Sequence, residues 1–167
     1  MAFRSDPIPE DPLVVGEILV RRQYIPRPPA VLAVRSAALG VPSSTWKLVW
    51  FDGADLVDTA FMHDPVTNSS RLVVVTPGLY DILGWVSWDL YSVGQRAIRI
   101  RLNGGSAIRQ ISENATSAIV GNDMEVSILN YPLDVGDYVE LEVWHNIGAG
   151  LNINAANFAM RWVAMPT

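Results

Sequence analysis

Three aspartates recur at every third position in Asp52-Gly-Ala-Asp55-Leu-Val-Asp58. Clustered carboxylates on a loop are the oxygen-rich surroundings that a hard cation such as Ca²⁺ prefers. Aspartates in a turn also cap backbone N–H groups, and this spacing is not that of a known calcium loop. Asp52, Asp55 and Asp58 are therefore the metal candidates, and both readings stand. The chain has two histidines. His63 lies in Phe61-Met-His-Asp64-Pro, read as a loop, and His145 ends a strand beside Trp144. A nucleophile needs a base, and the base needs an orienting group. Asp64 is the nearest partner for His63, but residues adjacent in sequence rarely face each other in that way. No Gly-x-Ser-x-Gly, His-Glu-x-x-His, phosphate loop or dinucleotide fingerprint occurs. The expectation is a chain with no catalytic residue and no cofactor, its histidines at the surface or at an interface.

Aromatic and basic residues offer binding rather than turnover. Trp46, Trp50, Trp85, Trp88, Trp144 and Trp162 all fall within expected strands. Those facing inward are core, and those on a second face are interface anchors. An exposed pair near Asp or Asn would instead stack on sugar rings. Arg96, Arg99, Arg101 and Arg109 form a positive stripe along one hairpin, either solvated or paired between subunits with Glu140, Glu142 or Glu125. Lys47 is the sole lysine, and the other eleven basic residues are arginine. Two readings of the arginine dominance stand, a high-GC genome and bidentate contacts at interfaces.

Half the residues are apolar and only 17% are charged, so the surface has much to spend on contacts with other subunits. The net charge of −5 argues against nucleic acid as a partner. There is no cysteine, hence no disulfide and no thiolate site. The opening Met-Ala-Phe-Arg-Ser-Asp-Pro has no apolar h-region, and no apolar run approaches the roughly 20 residues of a membrane span. Asn68-Ser-Ser and Asn114-Ala-Thr match the glycosylation pattern by chance in a protein made in the cytosol without a secretory signal.

The elements that must position these residues centre on 71–91. Leu72 to Val75 is a β-branched run, Thr76-Pro77-Gly78 is turn chemistry of type II, and Leu79 to Trp88 is a long strand. Tyr80, Ile82, Val86 and Trp88 share one face of that strand, while Leu79, Leu83 and Trp85 share the other. A strand apolar on both faces is covered on both sides, which asks for an oligomer. Residues 1–29 hold six of the eleven prolines and read as an extended arm with one short helix opening at Asp11-Pro12. From Ala30 onward the pattern is all-β, with strands expected at 31–37, 45–51, 71–75, 79–88, 96–103, 107–112, 124–131, 137–145 and 157–164. Eight to ten short strands at this spacing make an antiparallel sandwich or jelly roll.

Val49-Trp-Phe-Asp52, Thr76-Pro-Gly-Leu-Tyr80, Arg99-Ile-Arg-Leu-Asn103-Gly104, Leu133-Asp-Val-Gly136-Asp137-Tyr138-Val139 and a closing apolar strand from Phe158 to Val163 follow one another in order. The set resembles the globular heads of the complement/tumour-necrosis-factor-like superfamily, particularly the versions in bacteriophage structural proteins, over residues 30–167. The resemblance implies a ten-strand jelly roll assembled as a tight homotrimer with aromatic residues near the threefold axis. For Pro77, Gly78, Tyr80, Gly136, Asp137 and Tyr138 it implies structural roles. Unlike animal members, this sequence carries no collagen-like stalk before the head and no disulfide, and its closing strand reads Phe158-Ala-Met-Arg-Trp162. The opening Met-Ala-Phe-Arg-Ser-Asp-Pro-Ile-Pro is similar to small virion proteins of phages infecting high-GC Gram-positive hosts.

Together these readings give a head (residues 30–167) and an anchoring arm (residues 1–29). Leu79, Leu83, Trp85, Tyr80 and Trp144 are the trimer-interface candidates. Phe3, Ile8, Leu13, Ile18 and Tyr24 are the arm residues expected to latch onto a major capsid protein or a tail protein. A short arm with one compact head suits decoration of a capsid lattice on the virion exterior. The alternative is a minor tail or fibre protein whose head binds a host carbohydrate or surface protein.

Overall fold

The computed structural model describes residues 27–115 and 122–166, and no helix occurs among them. The strands are β1 (Ala30–Arg35), β2 (Leu39–Val41), β3 (Lys47–Leu48), β4 (Val57–Asp58), β5 (Arg71–Val73), β6 (Gly78–Trp88), β7 (Gln95–Leu102), β8 (Ala107–Asn114), β9 (Asn122–Leu133), β10 (Tyr138–His145) and β11 (Leu151–Ala164). A first sheet runs β4-β1-β11-β6-β9, with β2 also on β11, and a second runs β3-β10-β7-β8, with β5 also on β10. All pairings are antiparallel. The two sheets stack as an all-β jelly-roll sandwich, as the strand spacing implies.

Burial along β6 alternates without a break from Gly78 to Trp88. Tyr80, Ile82, Val86 and Trp88 face the interior, where they meet Ile98, Ile100, Val139, Leu141 and Val143 of the second sheet. Strand side chains alternate between faces, so this pattern fixes which half of β6 is core. Tyr80, one of the interface candidates, is on the inner half. It is fully buried and its hydroxyl donates to the Thr76 carbonyl at 2.6 Å, so it belongs to the core and not to a contact between chains.

Gly78 opens β6 with a φ of 154°, not the roughly +80° of a type II turn. Close approach explains the glycine: a Cβ there would stand 2.7 Å from the Ala164 carbonyl oxygen and against the Trp162 ring, whose Nε1 donates to the Pro77 carbonyl at 3.1 Å.

Three strand segments lie outside the sequence expectation. β2 and β4 are short edge pieces within turn-like sequence. β11 begins at Leu151 rather than Asn157, because Asn152 and Asn154 look like loop residues. Both asparagines face out and donate to the carboxylate of Asp89, at 2.9 and 2.8 Å, while Leu151 and Ile153 fill the core.

The chain enters β1 and leaves β11 at one end of the sandwich, where the Trp162 N–H donates to the Pro29 carbonyl at 2.8 Å. The connections following β1, β6 and β10 are at the opposite end, as is the last residue of β8, Asn114. The expected helix and Phe3, Ile8, Leu13, Ile18 and Tyr24 lie outside the described residues.

Candidate functional site

The outer face of the first sheet carries an apolar row. Cross-strand register lines up Val57, Leu32, Ala159, Leu83 and Ser127 in one row across β4, β1, β11, β6 and β9. A shallow groove of about 400 Å³ follows this row and is also lined by Leu129, Asp81 and Arg161. Leu79, Leu83 and Trp85 project from it half-buried, and Val57, Leu129 and Val163 are exposed. No third layer of described residues covers this face, so the second apolar side of β6 is open within one chain. Asp81 and Arg161 sit opposite each other beside the row and pair at 2.9 Å.

The outer face of the second sheet is aromatic and charged. Trp144 is here, across the sandwich from Leu83 and Trp85, so the five interface candidates do not form one surface. Its ring lies 6.2 Å from that of Trp46. The Arg99 guanidinium stacks 3.8 Å over Trp46, Arg71 lies 4.1 Å over Tyr138, and the Lys47 ammonium lies 4.5 Å over Trp50. Beneath them Glu142 accepts from Arg99 Nε at 2.6 Å and Arg101 Nη1 at 2.8 Å. Glu140 accepts from Arg71 Nε at 3.1 Å and Ser70 Oγ at 3.2 Å.

These contacts correct the expectation of pairing between subunits, because Glu140 and Glu142 are paired within the chain. Antiparallel register puts Arg99 opposite Glu142 and Arg101 opposite Glu140 on adjacent strands. Arg96 leaves the stripe altogether. It points inward, almost fully buried, and donates from Nη2 to the Tyr91 carbonyl at 2.8 Å. Burial lowers its pKa, since the charged form loses water. Its Nε and Nη1 have no partner among the described residues. Glu125 is on the first sheet, opposite Trp85.

The three aspartates diverge. Asp52 pairs with Arg35 at 3.0 Å, and Asp55 meets His63 Nδ1 at 2.8 Å. Asp58 accepts the N–H groups of Ala60, Met62 and His63 at 3.2, 3.0 and 3.1 Å. This is the capping alternative for Asp58. Among the described residues no three His, Asp or Glu side chains converge to hold a metal.

Both histidines are buried, contrary to the surface expectation. His63 is held between Asp55 and the Ser69 carbonyl, 3.1 Å from Nε2. His145 closes one end of the core edge-on to Trp88, with Nε2 2.8 Å from the Val41 carbonyl. Asp64 does not orient His63. It accepts from Val66 and Thr67 N–H groups at 2.9 and 3.0 Å, and the bond from Thr67, followed by that from Val66, lowers its pKa. The Asp55–His63 pairing, eight residues apart across an irregular loop, has no signature in the sequence.

No family model matches the chain, and no curated protein sequence matches it. Solved structures do. Eiger TNF from S. frugiperda aligns with a TM-score of 0.56 at 14% identity, covering 84% of this chain and 96% of that one. Murine APRIL, determined at pH 5.0, aligns with a TM-score of 0.61 at 8% identity, covering 82% and 100%. The PRD1 vertex protein P5 aligns with a TM-score of 0.58 at 18% identity, covering 81% and 96%. At these identities the shared property is architecture, and the chain therefore has the tumour-necrosis-factor-like jelly-roll fold.

Proposed function

We propose that this chain is a non-enzymatic virion structural protein, a homotrimer on the exterior of a phage particle that decorates and stabilises the capsid. The observation that carries this reading is the open apolar row of Val57, Leu32, Ala159 and Leu83 on the first sheet. Contiguous apolar surface of this kind marks a protein contact. Each Å² removed from water contributes about 25 cal/mol. Asp81 and Arg161 already pair, so covering them leaves no unpartnered charge. The likeness to a phage vertex protein supports a place on a virion. The arm, residues 1–29, is the anchor, with Phe3, Ile8, Leu13, Ile18 and Tyr24 as its contacts with the major capsid protein. With the anchor joined at the end that holds Pro29 and Ala164, the opposite loops would face outward.

A second reading, a minor tail or fibre protein with a receptor-binding head, is favoured by the aromatic and cationic face of the second sheet.

The test is the mass in solution of the full chain and of residues 30–167, at low and high salt, with binding to empty capsids. Trimers in both cases, with capsid binding by the full chain alone, support the proposal. Leu83→Arg should give a folded monomer, because the arginine is tolerated on an open face but not within a contact. A wild-type monomer at every salt concentration would overturn the trimer.

A further inference from the structure

We infer that the outer face of the second sheet is a binding surface for an acidic polysaccharide, with Trp50 as the solvent-open stacking platform, Trp46 beside it, and Lys47 and Arg99 as counter-charges. It holds for a decoration protein or a fibre head alike, because the apolar contact surface is on the other sheet.

Trp46, Leu48 and Trp50 alternate along one segment through β3, and extended backbone separates positions 46 and 50 by about 13 Å. Between them is a cleft of about 370 Å³ lined by Lys47, Leu48, Ser70 and Glu142. This cleft is more polar than the groove on the first sheet. Indole faces take the apolar faces of sugar rings, while a hydroxyl and charged groups at the rim hydrogen-bond to their edges. Trp50 is 39% exposed, so one such platform is open to solvent.

Charge selects among sugars. Arg71 and Glu140 cancel, but Lys47, Arg99 and Arg101 face Glu142 alone, a surplus of two positive charges in a chain of net charge −5. Glu142 is not free to bind a ligand, because Arg99 and Arg101 take both its oxygens. Its effect is to hold the guanidiniums in place before anything binds. Arg101 is fully engaged, reaching the Gly104 and Gly105 carbonyls as well. Arg99 commits Nε and Nη2 to Glu142 and keeps Nη1 for a carboxylate. Cations fixed over aromatic rings bind anions without first being ordered.

The sole lysine lies in this cleft, which gives a direct readout. The full-length protein is acetylated with an N-hydroxysuccinimide ester, alone and with oligogalacturonate, hyaluronan oligosaccharide or polysialic acid. Acetylation of Lys47 is then compared with that of the Met1 α-amine in the same tube. At least one acidic glycan should slow Lys47 labelling about fivefold or more while Met1 is unchanged. For that glycan, Trp50→Ala and Lys47→Gln should each weaken binding by about tenfold with an unchanged melting temperature. Its methyl ester, with the same rings and no charge, should not bind.

If none of the three protects Lys47, the assignment fails. It also fails if the methyl ester binds as well as the acid, or if polyglutamate or duplex DNA protects Lys47 equally, since charge alone would then explain binding. Loss of the trimer changes none of these readouts, so the two proposals fail separately.

Discussion

Asn103 and Asp137 lock two turns together at the base of the second sheet, with Asn103 Nδ2 donating to Asp137 Oδ1 at 2.7 Å. Asn103 Oδ1 accepts the Tyr138 N–H at 2.8 Å, and Asp137 Oδ2 accepts that of Asp134, also at 2.8 Å. The Asn-Gly hairpin and the Gly-Asp-Tyr-Val strand opening, which carry much of the family resemblance, are thus one structural unit. Asn103 and Gly104 have φ of 51° and 65°, the left-handed pair of a type I′ turn, which the Gly105 N–H closes on the Leu102 carbonyl at 2.9 Å.

Substitution of Asn103 separates two effects. Asn103→Gly keeps the left-handed backbone but loses the side-chain bonds, and should cost about 1 to 2 kcal/mol. Asn103→Ala loses the same bonds and adds strain, costing about 1 kcal/mol more. Urea unfolding of both variants checks the difference, and equal losses would show that the turn is not strained.

Gly84 is the inward residue at the centre of β6, where an added methyl would overlap Leu141 Cδ1. Gly84→Ala should destabilise the head by about 1 to 3 kcal/mol through overpacking. Combined with Leu141→Ala it should cost less than the sum of the two single changes, because each relieves the other. Strict additivity in a thermal-melting cycle would refute the contact.

Burial raises the pKa of Tyr80 above its ordinary value of 10.0, because the phenolate would be cut off from water. The folded state therefore holds its phenolic proton more tightly than the unfolded chain does. This contribution is intact below pH 10.0 and is lost as pH rises through the folded-state value. Urea midpoints measured from pH 9 to pH 11.5, values chosen to span roughly one unit or more on each side of the ordinary tyrosine range, should fall more steeply for wild type than for Tyr80→Phe. Parallel slopes would remove Tyr80 as the cause.

Period-2 alternation makes much of the head legible. It separates Leu79, Leu83 and Trp85 from Ile82, Val86 and Trp88 on spacing alone, and it sets Arg99 and Arg101 apart from Ile98 and Ile100. The same rule, applied strictly, keeps Tyr80 off the outer face. Trp144 escapes it, because alternation gives the side of a strand but not the sheet that holds it. Pairing of Glu142 with Arg99 and Arg101 depends on β7 and β10 being neighbours, a long-range fact that local pattern does not contain. The asparagines of β11 hide a strand because propensity describes average surroundings, and Asp89 makes theirs unusual.

β11 is the most C-terminal of the described strands, yet it lies between β1 and β6 in the first sheet. During synthesis β1 and β6 therefore leave the ribosome long before the strand that joins them. Until Leu151–Ala164 arrives, each keeps an unpaired edge beside exposed apolar residues, the arrangement that templates aggregation. The sheet can close only when almost the whole head has been made. A chain interrupted before Leu151 is left with two sticky half-sheets instead of a smaller folded domain.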